Sequence, residues 1–179
     1  TVPAYPHLVV VTCFRSHQVR VYNTSSGRLL AKMGKDDGSR GAAEGEFNNP
    51  WGVVVTADSA HIIVADNKGN RLQLLRLIVS GDGGKRAELA FVRSIGDGQL
   101  QSPCGLALRS EGGGGQTVLV AEAEGNQVSE WALDGSKIRT IGTGYGSGDG
   151  KLAYPMDVTV LPTSGHIAIA DTNNHRVSI

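Results

Sequence analysis

Residues 170–179 of the chain read "ADTNNHRVSI", and residues 65–74 read "ADNKGNRLQL". Each stretch contains an acid, a short polar turn, an Arg and then alternating apolar and polar residues. Alternation of this kind is typical of a β-strand, and polar residues between two such runs are typical of a tight turn. The two stretches therefore predict one strand–turn–strand unit that the chain uses more than once.

Three prolines set the spacing of this repeat. Pro50, Pro103 and Pro155 recur at intervals of 53 and 52 residues, and each begins a short apolar strand. A more diverged copy, "HLVVVTCFRSHQVRVYNTSSGRLLAKMG", occupies residues 7–34. We therefore predict four copies of one unit within a single segment that spans residues 1–179. Their predicted ranges are 1–34, 46–96, 101–142 and 153–179.

The composition favours a folded, all-β chain. Hydrophobic residues make up 40% of the sequence, and its 25 Gly residues cluster between short runs rich in Val, Ile and Leu. Glycine clusters of this kind mark turns, and no long segment shows apolar residues at helical spacing. A repeat of this length with about four strands is the signature of a β-propeller blade, so we expect four-stranded antiparallel blades.

The repeated residues resemble the NHL-repeat β-propeller family. The resemblance rests on "ADTNNHRV" at residues 170–177, on "ADNKGNRLQL", and on the loop-to-strand segments "GEFNNPWGVVV" and "GDGKLAYPMDVTV". It covers about three and a half repeats. Closed propellers of this family usually have about six blades, so the resemblance implies that the chain forms an incomplete arc of a six-bladed propeller. We expect its open first and last blades to be covered by further sequence or by another chain.

An acid and an Arg or Gln recur at the turn between the second and third strands of each copy. An acid at this position can accept backbone N–H groups of its turn and can hold a guanidinium through two hydrogen bonds. We therefore predict a structural role, with Asp66 and Asp171 bonded to their own turns. The predicted bridges are Asp66 with Arg71, Glu122 with Gln127, and Asp171 with Arg176. In the first copy Cys13 and Gln18 take these positions.

Several side chains are candidates for contact with a partner at a mouth of the propeller. The two tryptophans have either a packing role between blades or a role as binding anchors, since aromatic residues dominate many interfaces. The basic residues of the loops are interleaved with acids, which is typical of a solvated rim rather than of a phosphate-binding track. The candidates are Trp51, Trp131, Lys68, Arg86 and Tyr145.

The sequence contains no motif that predicts catalysis, a cofactor or a metal site. The recurring acids each belong to a different blade, and the recurring histidines occupy equivalent positions of the repeat, so we assign both to the architecture. The apolar runs are too short to cross a bilayer. The two cysteines, Cys13 and Cys104, do not make a disulfide framework and fit a cytosolic-type environment.

The function predicted from these features is a non-catalytic scaffold that offers its loops to a protein partner as part of a larger protein. One alternative is a metal-assisted hydrolase or lyase built on a six-bladed propeller. Another is RNA binding, which the resemblance allows, possibly within a ubiquitin ligase. The balance of 17 Lys and Arg against 17 Asp and Glu argues against RNA, because phosphate binding depends on excess positive charge.

Overall fold

The computed structural model describes residues 1–81, 84–110 and 115–179. These residues form four antiparallel β-sheets, with short 3₁₀ turns at Phe14–Ser16, Asn67–Gly69 and Thr172–Asn174. The strands are β1 (Leu8–Cys13), β2 (Gln18–Asn23), β3 (Leu29–Met33), β4 (Pro50–Val55), β5 (His61–Asp66), β6 (Arg71–Ser80), β7 (Arg86–Ile95), β8 (Pro103–Ser110), β9 (Gln116–Glu122), β10 (Gln127–Ala132), β11 (Lys137–Ile141), β12 (Pro155–Val160), β13 (Ile167–Asp171) and β14 (Arg176–Ser178).

Each sheet is one blade, and its strands neighbour one another in chain order. Blade 1 contains β1–β3, blade 2 contains β4–β7, blade 3 contains β8–β11 and blade 4 contains β12–β14. The innermost strands β1, β4, β8 and β12 pack side by side in that order. The described blades thus form an open arc, which confirms the predicted all-β propeller architecture. Among the described residues, the three strands of blade 1 align with the second to fourth strands of blades 2 and 3, and the three strands of blade 4 align with the first to third.

The hydrophobic core consists of three layers, one between each pair of neighbouring blades. In β5, Ile62 and Val64 pack towards blade 1, whereas Ile63 and Ala65 pack towards blade 3. Successive side chains of a strand point to opposite faces, so a blade covered on both faces needs apolar residues at successive positions. The run "HIIVAD" satisfies this requirement. The third layer joins blades 3 and 4 around Val128 and Ile169.

An apolar residue from each inter-blade loop closes its layer. Phe47, Leu100 and Leu152 each lie three positions before the proline of the following blade, and their exposed fractions are 0%, 2% and 3%. Phe47 packs in the first layer, Leu100 in the second and Leu152 in the third. The loops 34–49, 96–102 and 142–154 are therefore anchored to the blades at both ends.

Two glycines allow the innermost strands to approach each other closely. A Cβ atom on Gly52 would collide with the backbone carbonyl of Cys104, and one on Gly105 would collide with the Cα atom of Asp157. Each glycine occupies the second position after its proline. Their missing side chains therefore set the spacing of β4, β8 and β12 around the axis of the arc.

No helix in the described ranges is long and apolar enough to cross a membrane. Both cysteines are free thiols. Cys104 is buried, and burial raises its pKa.

Candidate functional site

The face of the arc that carries the turns between the second and third strands also carries the inter-blade loops, and we call it the mouth face. In blade 2, Asp66 at the end of β5 connects the turn that follows β5 with the inter-blade loop that precedes β4. Its Oδ1 accepts the backbone N–H of Asn48 at 2.6 Å, and its Oδ2 accepts Nε of Arg71 at 3.0 Å. Arg71 also donates from Nη2 to the carbonyls of Ala43 and Glu46, each at 3.0 Å. The pair therefore fastens the preceding inter-blade loop to the blade.

Blade 4 repeats this arrangement around Asp171. Its Oδ1 accepts the backbone N–H of Ala153 at 2.7 Å, and its Oδ2 accepts Nε of Arg176 at 2.8 Å and Nδ2 of Asn174 at 2.7 Å. Arg176 also donates to two carbonyls of the inter-blade loop, those of Ser147 and Lys151. The prediction that the acids bond to their own turns holds for Asp171, which accepts the Asn174 side chain of its turn, whereas the contacts of Asp66 lie outside the Asn67–Gly69 turn. The backbone donors come from the inter-blade loops, which tertiary folding brings to the acids.

The pKa values of Asp66 and Asp171 are shifted in opposite directions. Burial raises the pKa of Asp66 in spite of its hydrogen bonds. Burial acts in the same direction on Asp171, but the hydrogen bonds from Asn174 and Ala153 and the Arg176 guanidinium outweigh it and hold the pKa of Asp171 below its usual value. Arg176 lies at the edge of the arc, with 37% of its side chain exposed, whereas Arg71 is 8% exposed.

In blade 3, uncharged side chains take the place of the Arg as donors to the acid. Glu122 accepts the backbone N–H of Gln101 at 3.0 Å through Oε2, and Nε2 of Gln127 at 3.0 Å through Oε1. The hydroxyl of Ser129 donates to Glu122 at 2.6 Å and accepts Nε1 of Trp131 at 2.8 Å. This chain of hydrogen bonds satisfies the buried indole N–H, which an apolar layer could not do.

Blade 1 has no acid at this position. Gln18 both accepts a guanidinium and donates to the inter-blade loop. Its Oε1 accepts Nε and Nη2 of Arg20 at 3.0 and 2.8 Å. Its Nε2 donates to the carbonyl of Lys35 at 2.6 Å. Gln18, at the position of Arg71, therefore again fastens the inter-blade loop to the blade through a backbone carbonyl of the loop.

A second recurring hydrogen bond joins neighbouring blades. In blades 1, 2 and 3 the residue that follows the turn has a left-handed backbone, and its side chain accepts the N–H of the residue before the next proline. The bonds are Asn49 N–H to His17 Nδ1 at 2.9 Å, Ser102 N–H to Asn70 Oδ1 at 3.0 Å and Tyr154 N–H to Asn126 Oδ1 at 2.9 Å. We call these three bonds the inter-blade clamp.

Trp51 is a large aromatic residue that the mouth face exposes beside the axis. Its side chain is 45% exposed, and its ring meets the ring of Phe14 edge to face with centroids 5.3 Å apart. Phe14 is 41% exposed. On one side of Trp51 lies a cleft of about 420 Å³ that also contacts Thr12 and Arg15. We call Phe14 and Trp51 the aromatic pair.

On the other side of Trp51 lies a cleft along the axis of the arc, with a volume of about 510 Å³. Its walls come from the innermost strands of blades 2, 3 and 4. We call it the axial cleft, and its lining includes Trp51, Gly52, Gly105, Leu106, Met156 and Asp157. Since two of these residues are glycines, backbone forms much of the wall.

Lys68 also lies on the mouth face, but it already has a partner there. Its Nζ is 2.8 Å from Oε1 of Glu124 and 3.3 Å from Oγ of Ser102. The Glu124 carboxylate raises the pKa of Lys68, and the lysine in turn lowers the pKa of Glu124. The pair bridges blades 2 and 3, and both side chains are about half exposed.

The structure does not support a partner contact for Trp131. Its side chain is 1% exposed and packs in the layer between blades 2 and 3. Of the two roles considered for Trp131, packing between blades is the one that the structure shows, and partner contact is wrong. The physical reason is that β10 is the third strand of a blade covered on both faces, so its large apolar side chains are buried.

Arg86 is exposed, but it does not lie on the mouth face. β6 leaves that face at Arg71 and runs for ten residues to Ser80, which pairs with Arg86. Ten extended residues span roughly 30 Å, so the prediction of Arg86 as a mouth contact is wrong.

Tyr145 is 74% exposed in the loop between blades 3 and 4. It lies near the carbonyls that Arg176 contacts and outside the axial cleft.

Phe14 and Asp157 are mouth residues that the sequence analysis missed. Alignment of the copies carried a signal for Asp157, because the other two complete first strands have Gly52 and Gly105 at the same position. Phe14 gave no comparable signal, since it lies in the most diverged copy. Within the described ranges, no three His, Cys, Asp or Glu side chains group closely enough to hold a metal ion.

Comparison with known proteins agrees with this architecture. The NHL repeat family model matches residues 47–73 and 152–179. No curated protein sequence matches the chain significantly.

Solved structures that resemble the chain share its fold at low identity. An auxiliary nutrient binding protein from Bacteroides ovatus has a TM-score of 0.67 at 14% identity, with 98% of this chain and 45% of that protein covered. The Cps50 (Swd1) β-propeller domain from Myceliophteria thermophila has a TM-score of 0.67 at 10% identity, with coverages of 96% and 46%. Virginiamycin B lyase from Staphylococcus aureus, catalytically inactive and with quinupristin, has a TM-score of 0.59 at 15% identity, with coverages of 95% and 47%.

The chain thus spans about half the length of the solved structures that it matches. Two of its segments match the repeat model, and its four sheets have the arrangement of propeller blades. The chain therefore carries NHL repeats at residues 47–73 and 152–179 on a β-propeller fold.

Proposed function

We propose that the chain is a non-catalytic protein-interaction module whose partner docks on the mouth face at the aromatic pair. The observation that carries the proposal is the exposure of Trp51 and Phe14 side by side, between two clefts. Exposed aromatic residues with adjoining clefts are typical anchors of protein interfaces, because a large ring buries much apolar area with little loss of side-chain entropy. The recurring polar residues of the mouth face support the same proposal, since they are engaged in fastening loops and blades.

The experiment compares Trp51→Ser with a matched surface control. Ile138 on β11 is 47% exposed, close to the 45% of Trp51, and lies on the outer strand of blade 3. Proteins retained by the purified chain from a lysate of its source are identified, and each candidate is then purified and titrated against the chain. We expect a partner whose affinity falls at least about tenfold with Trp51→Ser and is unchanged with Ile138→Ser.

Equal affinity of each purified partner for the two variants would contradict docking at the aromatic pair. Circular dichroism and the melting temperature of both variants show that the comparison is between folded proteins. Since both replaced side chains are about half exposed, we expect each variant to stay folded.

A metal-assisted hydrolase or lyase is the first alternative. The structural similarity to virginiamycin B lyase motivates it, although an identity of 15% shows a common fold alone. Elemental analysis of the purified chain tests it directly. A stoichiometric metal, together with a hydrolytic or lyase activity that a chelator removes, would favour this alternative over the interaction module.

RNA binding, possibly within a ubiquitin ligase, is the second alternative. On the mouth face Lys68 is paired with Glu124, which reduces the positive charge available to phosphate. Binding of RNA through its phosphates weakens steeply with salt. Retention of an RNA oligonucleotide that falls with added salt, and is lost when Lys68 and Arg15 are replaced by Gln, would favour this alternative.

We also propose that the outward face of blade 4 is covered by another chain or by further sequence. Val177 is 67% exposed, whereas Val19, Leu72 and Val128 at the same position of the other blades are fully buried by the blade that follows. Replacement of Val177 by Lys in the isolated chain should reduce self-association in sedimentation velocity. A total of six blades stays a prediction, which the angle of rotation between successive blades would test.

A further inference from the structure

We infer that the axial cleft receives a lysine or arginine side chain of the protein partner, with the Asp157 carboxylate as counter-charge and the Trp51 indole as one wall. The inference rests on the proposed function, because it names the chemistry that the docking partner presents. It is carried by the position of two lining residues of the same cleft, the exposed Trp51 and an Asp157 carboxylate that has no ion-pair partner among the described residues.

Asp157 has acceptor capacity that the fold does not use. Its side chain is exposed, and its Oδ1 accepts the backbone N–H of Val158 at 2.9 Å. In the described part of the chain no donor contacts Oδ2, and no Lys, Arg or His forms an ion pair with the carboxylate. By contrast, the acids Asp66, Glu122 and Asp171 each accept several hydrogen bonds.

The architecture does not require a carboxylate at this position. The other two blades with a first strand have Gly52 and Gly105 there, and both pack closely against the neighbouring strand. The one hydrogen bond of Asp157 would be made equally well by an Asn side chain, since an amide oxygen also accepts an N–H. The negative charge is therefore free to act on a ligand.

The rest of the lining suits the stem and head of a long cationic side chain. An indole face attracts an ammonium or guanidinium group through its quadrupole, and Trp is the most effective ring in this role. Leu106 and Met156 line the same cleft and provide apolar contacts for the methylene stem. The cleft therefore offers a charge and an aromatic ring for the head, with apolar groups for the stem.

Charges around the cleft favour a cation over an anion. Asp157 is the one ionisable side chain among the described residues that line it. Lys68, on the same face, is neutralised by Glu124 at 2.8 Å. Arg15 lines the cleft on the opposite side of Trp51, where the aromatic pair separates it from the axis.

The two tryptophans allow the inference to be tested on the full chain by nuclear magnetic resonance. Trp51 reports on the cleft, and the buried Trp131, whose N–H is bonded to Ser129, serves as the internal control. The indole N–H resonances are assigned with Trp51→Phe. The peptides acetyl-Gly-Lys-Gly-amide and acetyl-Gly-Arg-Gly-amide are titrated, with matched peptides that carry norleucine or Glu at the central position.

We expect the Lys and Arg peptides to shift the Trp51 indole resonance in a saturable way and to leave that of Trp131 in place. The norleucine peptide, which keeps the stem without the charge, should cause little shift. Asp157→Asn should weaken the response to the cationic peptides about fivefold or more, which corresponds to loss of one charge contact. Asp157→Glu should retain it.

The inference is overturned if the norleucine or Glu peptide shifts Trp51 as strongly as the Lys peptide, if no peptide shifts it, or if Asp157→Asn has no effect. These outcomes are distinct from failure of the proposed function. A purified partner whose binding depends on Trp51 but not on Asp157 would support the interaction module. It would contradict the inferred cationic side chain in the axial cleft.

Discussion

The backbone N–H of Asn49 donates to Nδ1 of His17 at 2.9 Å, across the boundary between blades 1 and 2. At the next two boundaries Asn70 and Asn126 accept the same bond through their side-chain oxygens. All three acceptor residues have a left-handed backbone, with φ between 50° and 52°. Histidine and asparagine are thus equivalent in this clamp, because each tolerates the conformation and offers an acceptor at a similar reach.

The clamp predicts that His17→Asn preserves stability and His17→Ala lowers it. Ala offers no acceptor to the Asn49 N–H and is strained at a positive φ, so we expect a loss of about 1–2 kcal/mol in the free energy of unfolding. Asn should stay within about 0.5 kcal/mol of the original protein. Urea denaturation measures both values. The role assigned to His17 is wrong if the Asn variant is as unstable as the Ala variant.

Removal of the Asp171 side chain should destabilise blade 4. Asp171→Ala leaves the Ala153 N–H without its acceptor and Arg176 without its charge partner, and we expect a loss of about 1–3 kcal/mol. Asp171→Asn should also destabilise, since its amide N–H₂ would face the donors of Asn174 and Arg176. Urea denaturation gives the size of the loss.

Hydrogen exchange shows where the effect of Asp171→Ala lies. Because each blade packs only on its neighbours, faster exchange should appear in β12–β14 and not in β1–β3. Asp149→Ala is the matched control, since Asp149 is exposed in the same inter-blade loop. Equal stability of the two Ala variants would show that the acid does not fasten the loop.

An added methyl group at the axis should lower the free energy of unfolding. Gly105→Ala places a Cβ against the backbone of Asp157, and Gly52→Ala places one against the Cys104 carbonyl, so in each case a strand must shift. We expect a loss of about 1–3 kcal/mol for each variant. Gly148→Ala, at a position where a Cβ meets nothing within 4 Å, is the control and should be nearly neutral. Thermal melts would contradict the close approach of the strands if all three variants behaved alike.

From the surroundings of Glu130 we expect the protein to lose stability in acid. Burial acts to raise its pKa, but the Thr117 hydroxyl at 2.7 Å and the Arg139 guanidinium at 2.6 Å outweigh burial and hold the pKa below its usual value. A carboxyl whose pKa is lower in the folded state stabilises the fold above its unfolded pKa, about 4.3 for Glu. This contribution is lost as the pH falls through the folded value.

The melting temperature measured from pH 6 down to pH 3 tests this effect, with Glu130→Gln for comparison. The Gln variant should be less stable near neutral pH and should lose less stability on acidification, because it has no carboxyl to protonate at this position. Parallel curves for the two proteins would show that Glu130 does not contribute to the acid response.

The repeat alone predicted the strands, their order and the all-β architecture. Pro50, Pro103 and Pro155 mark the start of an inner strand in three blades, and the apolar runs that follow them are strands in the structure. This worked because alternation and turn residues are local properties, and a repeat presents the same local pattern several times. The pairing of Asp66 with Arg71 across the turn is also local, since the two residues are five positions apart.

Contacts between distant parts of the chain were decided by tertiary structure. The sequence did not show that Asp66 accepts the N–H of Asn48, that Trp131 is buried while Trp51 is exposed, or that Arg86 lies away from the mouth. Each of these depends on which blade face a strand presents and on which end of a strand a turn lies. The axial cleft is the clearest case. Trp51 and Asp157 are more than a hundred positions apart, and only the packing of β4, β8 and β12 around one axis brings them to the same cavity.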